Sequence, residues 1–549
     1  MSDKTSQTLR SFLWRAVNLY PDREVVSRTH EGRTRYTYKE YGERTARLAN
    51  ALSAYGIEKG DRVGTFCWNH HRHFETYFSV PSIGAQLHTI NPLLPDTHIR
   101  HIVDEADDQL IFVDHSLAPK LAAVASGAPE FEGIEFVLMG ETESDTVEGV
   151  SYEAFIAGRS SEYDWPEIEE TQPAGLCYTS GTTGEPKGVE YTHRMLWSHT
   201  MATLTPQGIP IDDGDTVMPV VPMFHVNAWG FPFAATAAGA KHVYPGPSPD
   251  PEDVVRLIRE EGVTITAGVP TVWLDLIDYV EDADVGLADL ETIAVGGAAA
   301  PESMIRWFDD RDVEIVHAWG MTELSPIGTV SNPKYTLADA DYETRLRRRT
   351  TQGLVLPGLE IRVVDDEGEE VPWDGEAFGE LWIRGPWVTT EYFGRPATDE
   401  ADFEGGWLKT GDIVTVDEEG YVDVVDRAED VIKSAGEWIS SIELEDAIMA
   451  TDDVAEAVVV GVSHEKYQER PVAFVVPTDG ADPDALSETI LDRLGAEYPG
   501  WWLPDAIEYL EEIPKTTTGK FSKAVVRERY ADEALIEGAA PERADHRTE

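Results

Sequence analysis

The residues from 178 to 188 combine glycine, hydroxyl and lysine side chains in one short run, Tyr178-Thr-Ser-Gly-Thr-Thr-Gly-Glu-Pro-Lys-Gly188. Its three glycines allow the backbone to bend and expose N–H groups, and its four hydroxyls add further donors. Lys187 adds a positive charge. The combination predicts a cradle for a polyphosphate; a flexible surface loop is the alternative. It is not a Walker loop, which ends in Gly-Lys-Ser/Thr, because Pro186 precedes this lysine and Gly188 follows it.

Six further blocks of polar, aromatic and glycine residues follow this loop. In chain order they are Met223-Phe-His-Val-Asn-Ala-Trp-Gly230, Gly296-Gly-Ala-Ala-Ala-Pro301, His317-Ala-Trp-Gly-Met-Thr-Glu323, Trp407-Leu-Lys-Thr-Gly-Asp412, Asp426-Arg-Ala-Glu-Asp-Val-Ile-Lys-Ser-Ala-Gly-Glu-Trp-Ile-Ser440 and Pro514-Lys-Thr-Thr-Thr-Gly-Lys520. Loop and blocks together resemble the adenylate-forming superfamily, which includes acyl-CoA synthetases, peptide-synthetase adenylation domains and luciferases. The resemblance covers nearly the whole chain. Within the superfamily, the chain is most similar to the medium- and long-chain fatty acyl-CoA synthetases.

The resemblance implies an ATP site spread over several blocks. Trp319 offers a π-face to adenine, and the two oxygens of Asp412 can accept both ribose hydroxyls while Arg427 donates to them. The implied ATP- and AMP-binding residues are Thr179, Ser180, Gly181, Thr182, Thr183, Gly184, Lys187, Gly297, Ala298, His317, Ala318, Trp319, Gly320, Asp412, Arg427, Lys433 and Trp438.

Metal binding and catalysis of the first step are assigned to Glu323, Thr322 and Lys520, together with Thr179 of the loop. Mg²⁺ prefers hard oxygen ligands, so Glu323 is the expected metal ligand and the hydroxyl of Thr179 the second. In the resembling enzymes Thr322 lies beside the α-phosphate. Lys520 is expected to bridge the attacking carboxylate and that phosphate, where a cation neutralises charge that develops in the transition state.

The second step transfers the acyl group to the thiol of coenzyme A. The resembling enzymes rotate a small domain about a hinge, here expected at Asp426 and Glu429, and thereby withdraw the lysine. Gly436 would line the tunnel for the pantetheine arm, where a side chain would block approach. Related enzymes often carry lysine or aspartate at the position of Glu429. If the lysine of those relatives contacts ATP, that contact is lost or reversed in sign here.

The acyl pocket is predicted from His225, Val226 and Trp229. Peptide-synthetase adenylation domains bind the substrate amino group with an aspartate where this chain has His225, so an amino acid would leave a buried ammonium without a counter-charge. Trp229 matches a position that gates the fatty-acid tunnel in long-chain enzymes. His225 and Trp229 could instead be packed core residues, and the small apolar wall does not exclude an aryl acid.

Most of the chain alternates short apolar runs with amphipathic helical patterns, which predicts α/β layers with largely parallel sheets. Expected strands include 216–220, 264–269, 292–295 and 314–317. Between the first two, Asp253 is expected to cap a helix that Gly262 ends. A β-rich texture follows from about residue 353.

A smaller unit begins after Asp426, with helices expected at 441–449 and 486–494 and strands at 455–462 and 472–476. The predicted fold is therefore a large N-terminal domain of layered α/β subdomains and a β-rich subdomain, residues 1–426. A small mobile α+β C-terminal domain would comprise residues 427–549, with the hinge at about 426–430. The charged tail after Glu537 is expected to fray.

The composition is strongly acidic: 102 Asp and Glu against 44 Lys and Arg give a net charge of -58. Such a chain would be repelled by nucleic acid and by anionic lipid. Because 42% of the residues are hydrophobic and the acidic ones are spread along the chain, we interpret the charge as the surface of a salt-accumulating halophile rather than disorder. An acidic mesophilic protein is the alternative.

No run is long and apolar enough to span a membrane, and residues 1–13 do not have the pattern of a signal peptide. Cys67 and Cys177 have no metal-site spacing, and a cytoplasmic location is expected. A homodimer and a monomer are both left open.

The predicted function is an ATP- and Mg²⁺-dependent ligase that joins a medium- or long-chain fatty acid to coenzyme A through an acyl-adenylate. An aryl-acid ligase of the coumarate type is the alternative within the class. A phosphoryl-transfer enzyme is disfavoured by the missing Walker ending. A non-catalytic nucleotide- or lipid-binding relative is disfavoured because Lys187, Glu323 and Lys520 are all present.

Overall fold

A computed structural model describes residues 6–29, 31–141, 144–179, 185–365, 367–399, 401–434, 437–464, 466–478, 480–515 and 521–530. The chain divides into two compact units. The first contains Met1–Ile361, Ile383–Leu408 and Gly420–Val422, and the second contains Arg362–Trp382, Lys409–Glu419 and Asp423–Glu549.

The first unit holds two large sheets. In the nine-stranded sheet six neighbouring strands are parallel and the outer pairs are antiparallel. Its strands, in spatial order, are Leu354–Val355, Ile327–Val330, Glu314–Gly320, Thr292–Gly296, Ile265–Gly268, Thr216–Pro219, Lys241–Tyr244, Glu24–Thr29 and Gly32–Thr37. The central strands read as continuous apolar runs because they are buried on both faces.

The second sheet of this unit has seven strands and is parallel except for its last pair. In spatial order they are Val150–Ser151, Glu135–Leu138, Asp108–Val113, Arg62–Phe66, Gln86–Thr89, Pro173–Tyr178 and Gly188–Thr192. The antiparallel edge pair flanks the predicted phosphate loop, so the loop is the connection of a hairpin.

The helices of the first unit connect these strands. They are Arg10–Leu19, Tyr38–Tyr55, His71–Ser82, Asp96–Ala106, Ala118–Ala125, Tyr152–Ile156, His193–Thr203, Phe231–Ala238, Pro251–Glu261, Pro270–Ala283, Glu302–Asp309 and Tyr342–Thr350, with short 3₁₀ turns at His115–Leu117, Pro129–Phe131, Thr322–Leu324, Tyr335–Leu337 and Ala397–Asp399.

One predicted helix start was wrong. Asp250, not Asp253, caps the helix Pro251–Glu261, and its side chain accepts a hydrogen bond from the backbone N–H of Asp253. Pro251 fits the first helical position because its missing N–H would have no partner there. The helix ends at Gly262, as predicted, in the left-handed conformation.

A further sheet has five strands. Its strands are Glu360–Val364, Phe378–Arg384, Trp407–Val416, Phe403–Glu404 and Val422–Arg427. The division between the units passes within these strands, so the domain boundary expected at 426–430 stays a prediction.

The second unit carries its own sheet and core. The strands are Glu437–Ile439, Ile432–Ser434, Gln468–Pro477, Val454–His464 and Ala506–Tyr509, and the helices are Ser441–Met449, Pro483–Glu497 and Lys523–Tyr530. Apolar side chains of both long strands and of the first two helices form the core. The helix predicted at 441–449 has those bounds in the structure.

Candidate active site

The base of the predicted phosphate loop is a tight hairpin. Tyr178 pairs with Gly188 across the two strands, the N–H of Thr179 donates to the carbonyl of Lys187 at 3.0 Å, and the N–H of Lys187 donates to Oγ1 of Thr179 at 3.0 Å. A Cβ at Gly188 would lie 2.9 Å from Cβ of Phe393 and 3.2 Å from the Tyr178 ring, so only glycine fits. Ser180, Gly181, Thr182, Thr183 and Gly184 lie outside the described residues.

The side chain of Lys187 contacts a carboxylate and an aromatic ring. Its Nζ donates to Oδ2 of Asp402 at 2.9 Å. The same ammonium lies 4.5 Å from the centre of the Tyr392 ring, within the range of a cation–π interaction. The loop cation is therefore held by residues from a segment that carries none of the sequence blocks.

Glu323 lies on a 3₁₀ turn, Thr322–Leu324, just beyond the strand Glu314–Gly320. Its carbonyl accepts from the N–H of Thr389 at 2.8 Å, while the carbonyl of Thr322 accepts from the hydroxyl of Tyr191 at 2.7 Å. Glu323 is only 5% exposed. These contacts fix the turn from both sides and aim a buried carboxylate from it.

Tyr392 connects Glu323 to the phosphate loop. Its hydroxyl donates to Oε1 of Glu323 at 2.9 Å and lies 3.2 Å from Oδ2 of Asp402. Burial, together with the charges of Glu323 and Asp402, raises the pKa of Tyr392. The phenol therefore stays protonated and can serve as a donor to either carboxylate.

The predicted adenine turn lies at the ends of two parallel strands, where Gly296 pairs with Ala318. A Cβ at Gly296 would lie 2.8 Å from the carbonyl oxygen of Ala318 and 3.3 Å from Cη2 of Trp229. Gly297 has φ of +83°, which favours glycine. The glycines thus allow the two strand ends and an indole to approach closely.

The next strand carries the predicted base-binding block. His317 is buried. Its backbone N–H donates to Oγ of Ser331 at 3.1 Å, and burial lowers the pKa of its imidazole to about 4. The ring is therefore neutral near pH 7, with Nδ1 3.2 Å from the carbonyl of Thr350. Trp319 is half-buried and packs over Gly328, whose added Cβ would lie 2.6 Å from its indole.

The acyl-pocket block forms an unusual turn. Val226, Asn227, Ala228 and Trp229 all have positive φ, between 44° and 55°. Left-handed backbone costs about 1–2 kcal/mol per residue other than glycine, so the surrounding packing must enforce it. Trp229 is 8% exposed, whereas His225 is half-buried. Nδ2 of the buried Asn227 has no hydrogen-bond partner among the described residues.

In the second unit Asp412 and Arg427 contact each other. Nε of Arg427 donates to Oδ1 of Asp412 at 2.8 Å, and Nη1 donates to the carbonyl of Thr410 at 3.3 Å. Asp412 is 2% exposed, and its N–H donates to Oγ1 of Thr410 at 3.1 Å. The strand Trp407–Val416 and the next strand, Val422–Arg427, therefore bring together the two residues predicted to bind the ribose.

The predicted hinge residue Asp426 is fixed by its neighbours. It is 1% exposed, its Oδ2 accepts from the N–H of Ser441 at 2.8 Å, and Nζ of Lys523 lies 3.9 Å from its Oδ1. Lys523 also pairs with Glu445 at 2.9 Å. Burial, against the attraction of Lys523, raises the pKa of Glu445 to about 7.

The remaining predicted positions of the second unit are partly described. The surface of Glu429 is largely exposed, but partial desolvation of its carboxyl group, together with the charge of Asp430, raises its pKa. Lys433 pairs with Trp438 across two short strands, and its N–H donates to Oε2 of Glu469 at 2.9 Å. Gly436, Lys520 and the side chain of Trp438 lie outside the described residues.

Two protein-family models match the chain. A model of AMP-binding enzymes matches residues 13–393, and a model of the AMP-binding enzyme C-terminal domain matches residues 443–520. The chain belongs to the AMP-binding enzyme family. The predicted superfamily and the mixed α/β fold with a large N-terminal and a small C-terminal domain are thereby confirmed.

This AMP-binding enzyme has relatives that match over almost their full length. It is 45% identical over 526 residues to a long-chain-fatty-acid–CoA ligase of Thermus thermophilus, covering 95% of each chain. It is 40% identical over 529 residues to a medium-chain-fatty-acid–CoA ligase of Ectopseudomonas oleovorans, covering 95% of this chain and 96% of the relative. The crystal structure of an anthranilate CoA ligase in complex with anthranoyl-AMP superposes with a TM-score of 0.85 at 23% identity. The match covers 97% of this chain and 98% of that chain.

The sequence blocks did not reveal every residue that this AMP-binding enzyme places at the loop. Tyr392 and Asp402 were missed because they lie between blocks, and only the path of the segment 387–402 brings them to Lys187 and Glu323. No sequence signal identified Asn227 beyond its place in the acyl block. The roles assigned to the predicted residues remain predictions.

Proposed function

We propose that this enzyme joins a medium- or long-chain fatty acid to coenzyme A with cleavage of ATP to AMP and pyrophosphate. The observation that carries the proposal is the network in which Lys187 of the loop and the buried Glu323 are connected through Tyr392 and Asp402. A lysine can bind phosphate oxygens directly, and a carboxylate can bind the magnesium ion that accompanies a polyphosphate.

In the first step the carboxylate of the acid attacks the α-phosphorus of ATP, forming an acyl-adenylate and releasing pyrophosphate. We assign Lys187 to the polyphosphate and Thr322 to the α-phosphate. Lys520 is assigned to the charge that develops between the two reactants. In the second step the thiol of coenzyme A attacks the acyl carbonyl, and AMP leaves.

The oxygens of Glu323 and Thr179 fit a magnesium ion. Glu323 offers a buried carboxylate, and the Thr179 hydroxyl lies at the base of the loop. The described residues contain no cluster of three or more His, Cys, Asp or Glu suited to a metal, so ATP phosphates would complete the ligand set. Bound there, the ion would neutralise phosphate charge and orient the polyphosphate.

The acid is proposed to be an alkyl chain bound beside Val226 and Trp229. Strained backbone is concentrated at functional sites, so the left-handed turn at 226–229 supports a role in substrate binding. The names of the relatives at 45% and 40% identity favour a fatty acid. An aryl acid remains the second candidate.

No helix within the described ranges has the length and apolar character that a membrane span needs.

The decisive experiment is a pyrophosphate-release assay in high salt, with acids from acetate to palmitate plus cinnamate and benzoate. We expect release that depends on a fatty acid and acyl-CoA formation when coenzyme A is added. Release only with cinnamate or benzoate would establish the aryl alternative, and release with no acid would overturn both.

A further inference from the structure

We propose that Asp402 is an internal competitor of ATP: it neutralises Lys187 before the nucleotide binds, and the polyphosphate must displace it. The inference rests on the proposed function and adds a positioning residue to it. No sequence block includes Asp402, and its role follows only from its contacts.

Lys187 and Asp402 form a partly exposed ion pair. Oδ2 of Asp402 lies 2.9 Å from Nζ of Lys187, the distance of a charge-assisted hydrogen bond. The side chain of Asp402 is 40% exposed and that of Lys187 is 29% exposed. The pair is therefore accessible to a ligand, and water and salt weaken it enough for an anion to replace it.

Electrostatic repulsion disfavours the binding of a second anion beside Asp402. A polyphosphate bound to Lys187 would bring several negative charges next to the carboxylate of Asp402. Like charges repel, so the polyphosphate and the carboxylate compete for the ammonium of Lys187. Binding of ATP would therefore displace Asp402 from Lys187, and this cost lowers the apparent affinity for ATP.

The Tyr392 hydroxyl connects the ion pair to Glu323. The Tyr392 hydroxyl has one proton but two acceptors, at 2.9 Å on Glu323 and 3.2 Å on Asp402. While Asp402 stays in place, the proton is shared. When Asp402 leaves, the phenol donates to Glu323 alone, so that polyphosphate binding also fixes the orientation of the proposed metal ligand.

The competition should distinguish triphosphate from monophosphate nucleotides. Asp402 contacts the lysine that we assign to the polyphosphate, and AMP has no β- or γ-phosphate to reach it. Removal of the carboxylate should therefore favour ATP binding and leave AMP binding almost unchanged.

The test compares Asp402→Asn with Glu391→Gln in titrations with MgATP and with AMP at one fixed high salt concentration. Glu391 is an exposed acidic residue adjacent to Tyr392, so its variant removes a nearby charge without touching the pair. A partly exposed ion pair corresponds to at most about fivefold in a binding constant. We expect Asp402→Asn to tighten MgATP binding about two- to fivefold and Glu391→Gln to leave it unchanged.

The inference would be overturned if Asp402→Asn bound MgATP with unchanged or weaker affinity. It would also be overturned if Asp402→Asn tightened AMP binding as much as MgATP binding, or if Glu391→Gln tightened MgATP binding equally. Asp402→Ala, with melting curves, provides a second variant if the asparagine protein is poorly folded. Failure of the wild type to bind MgATP would instead refute the proposed function. Normal fatty-acid-dependent pyrophosphate release with unaltered binding in Asp402→Asn would refute only the competition.

Discussion

The hydroxyl of Tyr392 lies 2.9 Å from Oε1 of Glu323, and both residues are at most 5% exposed. A buried polar group without a partner is costly, so this hydrogen bond satisfies an oxygen of Glu323 and limits the rotation of its side chain. The same ring carries the ammonium of Lys187 on its face. Tyr392 thus contacts two groups of the proposed site, Glu323 and Lys187.

Tyr392→Phe should separate these two effects, because it keeps the ring and removes the hydroxyl. Hydrogen bonds to charged groups contribute about 1.5–3 kcal/mol, so we expect adenylation to fall roughly tenfold or more at limiting Mg²⁺. Pyrophosphate release measured across Mg²⁺ concentrations checks this. The metal concentration at half-maximal rate should rise, while the affinity for the fatty acid should stay near that of the wild type.

Tyr152→Phe is the matched control, since the Tyr152 hydroxyl also donates to a buried glutamate, Glu75. We expect Tyr152→Phe to lose about as much unfolding free energy as Tyr392→Phe and to keep the wild-type dependence of the rate on Mg²⁺. Identical magnesium profiles for both variants and the wild type would remove Tyr392 from the site.

Lys520→Ala should slow acyl-adenylate formation about 10²–10³-fold, the usual effect of losing one donor to developing charge. Transfer of a supplied acyl-adenylate to coenzyme A should be largely spared, because the lysine is expected to be withdrawn for that step. The two half-reactions are measured separately.

Lys515→Ala is the control for Lys520, because it removes the same charge from the same block. Lys515 pairs with Glu456 at 2.5 Å and is 44% exposed, so its loss should affect neither half-reaction. Equal losses in both half-reactions for Lys520→Ala would contradict the two-conformation mechanism.

Much of the fold could be predicted because the responsible signals are local. The strands Thr292–Gly296 and Glu314–Gly320 contain the segments 292–295 and 314–317 that the sequence predicts as strands. The left-handed turn at 226–229 could not be predicted, since valine and tryptophan disfavour positive φ and only tertiary packing enforces it.

The contacts of Asp402 and Tyr392 show the same limit at the site. Lys187 and Asp402 are far apart in sequence, and no local pattern indicates that their side chains meet. Asp253 illustrates a smaller error: either it or Asp250 could cap a helix, and the position of Pro251 decides for Asp250.

The net charge of -58 predicts that activity is lost at low ionic strength and recovers in molar KCl. Unscreened surface charges interact across about 30 Å at 0.01 M salt but only about 3 Å at 1 M. Activity and melting temperature measured from 0.01 M to 3 M KCl check the prediction. A non-electrolyte at equal osmolality should not replace the salt; full activity without salt would mean that the acidity has another cause.

Acid should destabilise the first unit through its buried histidines. Burial lowers the pKa of His199 and of His242 to about 3 and that of His193 to about 4, against about 6.5 in an unfolded chain. Because these folded-state values are depressed, the contribution to stability is complete above pH 6.5 and is lost as the pH falls towards 3.

His199→Gln isolates one of these terms. The glutamine amide oxygen can replace Nε2 of His199, which accepts from the N–H of Ile327 at 3.1 Å. The slope of unfolding free energy against pH between 6 and 4 should decrease by about 1.4 kcal/mol per pH unit, the value for one proton. Denaturation in constant high salt measures it, and equal slopes for variant and wild type would contradict the assignment.

Trp229 carries the prediction about chain length. Its indole packs over Gly296, next to the proposed adenine turn, and the residue belongs to the left-handed turn. If it gates the acyl tunnel, Trp229→Ala should change the preference among acids while leaving ATP affinity nearly intact. Each buried methylene is worth roughly 0.8 kcal/mol, so the optimum should move with a several-fold change per carbon.

Trp273 is the matched control, because this fully buried tryptophan also packs over a glycine, Gly268. Loss of a core tryptophan costs about 3–5 kcal/mol of stability, and Trp273→Ala should therefore lower the melting temperature and reduce activity on all acids in proportion. The measurement is acyl-CoA formation from acetate to palmitate, with cinnamate and benzoate. If Trp229→Ala gave the same proportional loss as Trp273→Ala, Trp229 would be a packing residue and the aryl acid would become an equal candidate.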